Sequence, residues 1–178
     1  MSNPFPAIFA YHAWANGDLI HKLAELEEKA PAAYLDALRL ASHSHVVARI
    51  FSGHLAGAQH GYVNDNVDPL PSLEALRAQM AANDAWYNNY VANVSEQDLA
   101  EPIRFTFTDG DRGCMTRQEM LTHVALHGGY HRGEIGQILR RADIVPPWDT
   151  LAVHLHRVDP ARRKSATGEA TSPRRALA

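Results

Sequence analysis

Apolar positions recur every three or four residues at the start of the chain. Ile8, Tyr11, Ala15, Leu19, Leu23 and Leu26 line one side of "PAIFAYHAWANGDLIHKLAELEE", and this spacing predicts a helix over residues 6–28. Pro31 interrupts the pattern. A second helix is predicted from near Leu35, through "LDALRLASHSHVVARIFSGHLAGAQHG", to about Gly61, roughly seven turns. The following "YVNDNVDPLP" is rich in turn formers and ends in proline. Ser72 then suits a helix N-cap, with Glu74 in the first turn where the helix dipole favours an acid. The third helix, "LEALRAQMAANDAWYNNYVANV", spans about 73–94.

The pattern then changes period. In "EPIRFTFTDGDRGCMT", Ile103, Phe105 and Phe107 alternate with polar neighbours and Asp109-Gly110 is a turn signal, so a short hairpin or extended crossover is predicted. Thr116 and Glu119 have the T-x-x-E spacing of a capping box, which starts a fourth helix at about Arg117. That helix ends near Ala142, because Pro146-Pro147 cannot continue it. "WDTLAVHLH" adds a short turn of helix packed on the end. Four long amphipathic helices with a long connection between the third and fourth predict an all-α four-helix bundle, a class that builds metal sites in its core. No internal repeat at a solenoid period is present.

At 178 residues, with 46% apolar and 21% charged residues, the chain suits one soluble globular domain. Its net charge of −3 is unevenly placed. Residues 157–178 carry six basic and two acidic groups, a net of +4, which leaves −7 for residues 1–156. The expected division is a bundle over 1–156 and a basic, disordered tail over 157–178. An acidic body without a recognition element argues against nucleic acid as a partner. Cys114 is the sole cysteine, so no intrachain disulfide can form, and a reducing cytoplasm is the expected location. No apolar run is long enough to span a bilayer, and the N-terminus lacks the basic region of a signal peptide.

Eleven histidines change the picture. His123, His127 and His131 follow one another at intervals of four on the fourth helix, so neighbours in the series share a face. His127 and His131 can grip one ion, as can His123 and His127; His123 and His131, about 12 Å apart along the axis, cannot easily do so. A zinc-type catalytic site usually takes three protein ligands and leaves one position open. The third ligand should come from a facing helix. The second helix offers His43 and His54 on one face, about 16 Å apart in height, and helical spacing does not choose between them. His45 lies about 160° around from His43 and points elsewhere. There is no H-E-x-x-H and no Glu-x-x-His, so neither a standard zincin nor a di-iron carboxylate bundle fits.

Three stretches together resemble the DinB (DNA-damage-inducible) superfamily, the DinB/YfiT-like metalloenzymes. They are "YHAWANGDLI" (11–20), with Trp14-Ala15-Asn16; "SHSHVVARIF" (42–51); and "LTHVALHGGYHRGEIGQIL" (121–139), with its H-x-x-x-H-R-G core. The resemblance covers about residues 5–156. It implies a four-helix bundle, often a homodimer, with a three-histidine site for a divalent metal cation. Aligned residue by residue, the ligands fall on His43, His127 and His131, while His123 matches a family histidine outside the triad. Characterised relatives include S-transferases and isomerases that use a low-molecular-weight thiol such as bacillithiol or mycothiol. The resemblance therefore implies a metal-dependent enzyme activating such a thiol or water, of S-transferase, isomerase or hydrolase type. The alternative is a non-catalytic, stress-induced metal-binding or regulatory protein. Zinc, nickel, iron and manganese are not distinguished, since imidazole suits several of them.

"GGYHRG" departs from the family pattern: Gly128 and Gly129 each weaken a helix by ~1 kcal/mol relative to alanine. They either make room beside a metal or let another helix approach. Glu134, about 20° around the axis from His127, reads first as a surface or interhelical carboxylate. Its other readings are an acceptor behind a ligand and, as the one weak catalytic candidate, a general base. Arg132 points off the histidine face and is expected to pair on the surface or at an interface. Tyr11, Trp14 and Trp86 read as packing residues.

Overall fold

The computed structural model describes residues 3–163. Its long helices are α1 (Phe5–Lys29), α2 (Pro31–Ala56), α3 (Leu73–Asn93) and α5 (Arg117–Arg141). Between α3 and α5 lie the single-turn α4 (Glu96–Leu99) and an antiparallel hairpin, β1 (Pro102–Thr106) and β2 (Arg112–Thr116). An eight-residue α6 (Leu151–Val158) and a 3-10 turn at Pro160–Arg162 follow. The fold is mostly helical, and no described helix is long and apolar enough to cross a membrane. Disorder was expected over 157–178, but residues 157–163 hold the end of α6 and the 3-10 turn, since Thr150 caps α6 and its helix runs on to Val158; residues 164–178 lie outside the described residues.

Helix ends follow their local chemistry. Ser72 Oγ accepts the Ala75 N–H at 3.2 Å and caps α3. Thr116 and Glu119 make both bonds of the capping box, Glu119 N–H to Thr116 Oγ1 at 3.1 Å and Thr116 N–H to Glu119 Oε2 at 2.7 Å. The bounds of α2 correct the sequence reading. The helix starts at Pro31 rather than near Leu35, because a proline at the first position loses only an N–H that has no helical partner anyway. It stops at Ala56 rather than Gly61. Gly57 takes the left-handed conformation (φ 65°), and the Ala58 N–H bonds the Gly53 carbonyl at 2.9 Å, closing a Schellman turn. The short α4, capped by Ser95, was not foreseen.

Two apolar clusters fill the bundle. One gathers Phe5, Phe9, Phe51, Tyr87, Met120 and Val124; the other gathers Leu19, Leu23, Leu38, Leu76, Ile135 and Leu139. A polar layer separates them at mid-height. On α1 it holds His12 and Asn16, on α3 Asn83 and Asp84, and on α5 His131 and Arg132, all buried. Of the two places expected for Arg132, surface or interface, it pairs at the buried interface between α5 and α1. Its guanidinium donates to Asp149 Oδ2 (2.7 Å), Asn16 Oδ1 (3.1 Å) and His12 Nδ1 (3.3 Å), and its side chain is 4% exposed. It does point off the histidine face, but α1 covers that side. Asn16 Nδ2 in turn donates to both Asp84 oxygens at 3.1 Å. Tyr11 donates its hydroxyl to Asp149 Oδ1, which ties the segment after α5 to α1.

Gly128 explains how α1 and α5 come so close. A Cβ there would sit 2.4 Å from His12 Cε1, so the glycine lets the neighbouring helix approach; it does not open space beside a metal. Trp14 and Tyr11 meet the ring of buried His154 on α6, at 5.3 and 6.1 Å between centroids, so both aromatics do pack as expected. Trp86 stacks on Tyr90 at 5.0 Å.

The polar layer makes stability depend on pH. Burial pushes the Asp84 carboxyl up to about 6, against the opposing pull of the Asn16 amide and Arg132. Burial, helped by the Arg132 charge, pushes the His12 imidazole down to about 3. A raised carboxyl favours the fold in its neutral form. That contribution is complete below the unfolded value near 3.8 and is lost as pH rises through about 6. The depressed histidine works the other way, with its contribution complete above 6.5 and lost as pH falls toward 3. Asp84→Asn removes only the first effect. Urea midpoints measured at pH 5 and pH 7 should show the variant gaining on the wild type by on the order of 1–2 kcal/mol across that interval. Parallel curves for the two proteins would refute this.

Candidate metal centre

His127 and His131 stand one turn apart on α5, and His43 faces them from α2. One ring nitrogen from each lies within 4.8 Å of the other two. His131 Nε2 and His127 Nε2 are 3.1 Å apart, and the His43 ring centroid is 5.2 Å from that of His127 and 4.9 Å from that of His131. Two nitrogens bound to one tetrahedral ion at the usual 2.0–2.1 Å would be about 3.3 Å apart, so this spacing suits a shared ion.

The far sides of two rings are engaged. His131 Nδ1 contacts Glu134 Oε2 at 2.7 Å, and His43 Nδ1 lies 3.0 Å from the Asp65 backbone carbonyl. Both acceptors hold the proton on Nδ1 and leave the Nε2 lone pair free to face the cluster. The sequence reading placed Glu134 first as a surface or interhelical carboxylate; instead it is the acceptor behind His131. The signal was present, since residues three apart on a helix are neighbours. The Asp65 carbonyl, a backbone group in the α2–α3 loop, left no mark in the sequence. His127 is pushed down to about 4, first by burial and then by the neighbouring imidazoles, so at neutral pH it holds the uncharged form that binds metal. As a donor set, three imidazoles, two of them oriented from behind, fit a divalent transition metal.

The other sequence candidates stand nearby but apart. His123 stacks against His127 at 5.3 Å and against Phe51 at 4.6 Å. His54 does not join the triad; its ring meets His60 at 5.1 Å and Phe105 at 4.7 Å. His45 is buried on another side of α2, where it lines a separate cavity with Ser42 and Tyr62. Cys114 is exposed on β2.

His43 and His127 form part of the wall of a cavity of about 350 Å³ between α2, α5 and the hairpin. Most of the remaining wall is apolar, and His54 and His123 also line it. On its other side, His43 borders a cleft of about 430 Å³ that includes Asp36, Arg39 and Asn66. His43 therefore stands between two spaces.

A bundle of long helices that gathers three imidazoles beside an open cavity defines a mostly helical protein with a candidate metal site. The chain belongs to the DinB family, whose sequence model matches residues 1–163. It is similar to Protein DinB of Bacillus subtilis (strain 168), with 25% identity over 145 residues, 76% of this chain and 84% of that one. No solved structure matches it at a significant level.

Proposed function

We propose that His43, His127 and His131 hold one divalent cation, and that the cavity beside them is the active site of a metal-dependent enzyme that activates a low-molecular-weight thiol or water. The observation that carries this reading is the convergence of three imidazole nitrogens from two helices, with two of the rings, His43 and His127, in the wall of an open cavity. Bound by three neutral ligands, such a cation keeps its full charge and would acidify a thiol or water beside it. The chain's own residues do the rest. Glu134 fixes the tautomer and orientation of His131, and the Asp65 carbonyl does the same for His43. The polar layer anchors α5 against α1. Glu134 is engaged with His131, which favours a positioning role over that of a general base.

Elemental analysis of protein purified without a histidine tag, followed by assays with small thiols and model electrophiles, tests the reading. Stoichiometric metal and thiol-dependent turnover are expected. Metal without acceleration by any physiological thiol or water, and without an exchangeable ligand position, would leave a sequestration or regulatory role instead. Glu134→Ala should weaken metal binding about 10–100-fold, with Glu134→Gln between it and the wild type. Competition against a chelating dye reads this directly, and equal affinities in all three proteins would count against the role given to Glu134.

A further inference from the structure

The apolar cavity is walled by aromatic rings, most of them in tilted or edge-to-face contact. Phe105 on β1 lies 4.8 Å from Phe107, 4.7 Å from His54 and 6.1 Å from Phe51, and Phe51 leads through His123 to His127. Gly113, paired with Phe105 across the hairpin, makes this arrangement possible. A Cβ at Gly113 would come within 2.6 Å of Phe105 Cζ and 2.8 Å of Phe107 Cε2, so both rings lie over the place where a side chain is missing. Val47, Ile50 and Met115 complete the apolar wall, while Phe107 remains 45% exposed. Among the described residues, no lysine or arginine lines this cavity, and its one carboxylate belongs to Asp65. Arg39 lines the cleft across His43, where it pairs with Asp36 at 3.9 Å.

We infer that the ring-walled cavity takes a neutral, flat, apolar molecule, an aromatic electrophile, with its reactive end at the three histidines and its body between Phe51, Phe105 and Phe107. The size is right for such a ligand, since small-molecule sites of this kind run from about 300 to 1,000 Å³. The charge pattern is right as well. Away from the histidines, an anionic group in this cavity would lose its hydration and meet no lysine or arginine, whereas a flat neutral ring gains aromatic contacts. The word electrophile rests on the metal-centre reading; binding of the ring does not.

The test uses the full chain stripped of metal and two probes of one shape, 1-naphthol and 1-naphthalenesulfonate, titrated by fluorescence and by NMR. The expected result is saturable 1-naphthol binding, at least about tenfold weaker binding of the sulfonate, and about tenfold weaker 1-naphthol binding in Phe107→Ala. Phe107 is half-exposed, so this variant should fold, and circular dichroism checks that it does. Gly113→Val is a second probe, since it displaces the two rings without removing them, and it should weaken 1-naphthol as well. Sulfonate binding as tight as naphthol, or affinity unchanged in both variants, overturns the inference. Metal content measured on the wild-type protein before it is stripped separates the two ideas. Metal without naphthol binding sinks the cavity assignment alone, and naphthol binding without metal upholds it while sinking the metal-centre reading.

Discussion

His127→Ala should lose stoichiometric metal while keeping its fold. The side chain is only partly buried, and it faces the cavity rather than either apolar cluster. Removing it leaves His43 and His131, too few for a site that relies on three protein ligands. The loss should be at least about hundredfold in affinity, the top of the range for changes made behind a ligand. Thermal melts give an independent readout. A metal held at a hundred times its dissociation constant stabilises the native state by about 2.7 kcal/mol, so added metal should raise the wild-type melting temperature and leave that of the variant unchanged. His123→Ala is the matched control, because His123 sits one turn away and outside the triad. Unchanged affinity in His127→Ala would remove the basis of the proposed function.

Arg132→Met should be the most destabilising single change in the polar layer. The side chain is buried and bonded to Asp149, Asn16 and His12. Methionine preserves volume but leaves those three partners without their donor. Breaking a buried pair by removing one member costs about 3–5 kcal/mol. Asp149 is partly open to water and recovers some solvation, so the low end, about 3 kcal/mol, is expected. For a domain of this size that lowers the melting temperature by roughly 6–12 °C. A double-mutant cycle with Asp149→Asn should then return a clear coupling energy. A melting temperature within 2 °C of the wild type would mean that the guanidinium contributes no net stability, roughly the threshold for 1 kcal/mol at this size.

The polar layer also shows what a sequence can and cannot disclose. The long helices were legible because their apolar positions keep a 3.6-residue period, and the start of α5 was legible because Thr116 and Glu119 carry a capping box at fixed spacing. The Asp109-Gly110 turn marked the hairpin for the same reason, with Gly110 at φ 97°. Pro31 misled because proline reads equally as a helix breaker and as a helix start. Gly57 and Gly61 both have positive φ, and nothing in the sequence said which of them would close α2. Arg132 was placed on the correct side of its helix, but a helical wheel does not say what covers that side. The mutual spacing of His127 and His131 was plain from the chain. The choice of His43 over His54 came from family resemblance, and the Asp65 carbonyl behind His43 could come only from the fold.

The hairpin is joined to the bundle in an unusual division of labour. β1 and β2 supply Phe105, Phe107 and Met115 to the cavity, yet the three clustered histidines all come from α2 and α5. The tip at Thr108–Asp111 projects into solvent, where lengthening a turn costs little. Part of the cavity wall and the clustered imidazoles are thus carried by separate segments. Through drift or by design, the hairpin can be rebuilt and the cavity reshaped while the helices go on presenting the same imidazoles to it.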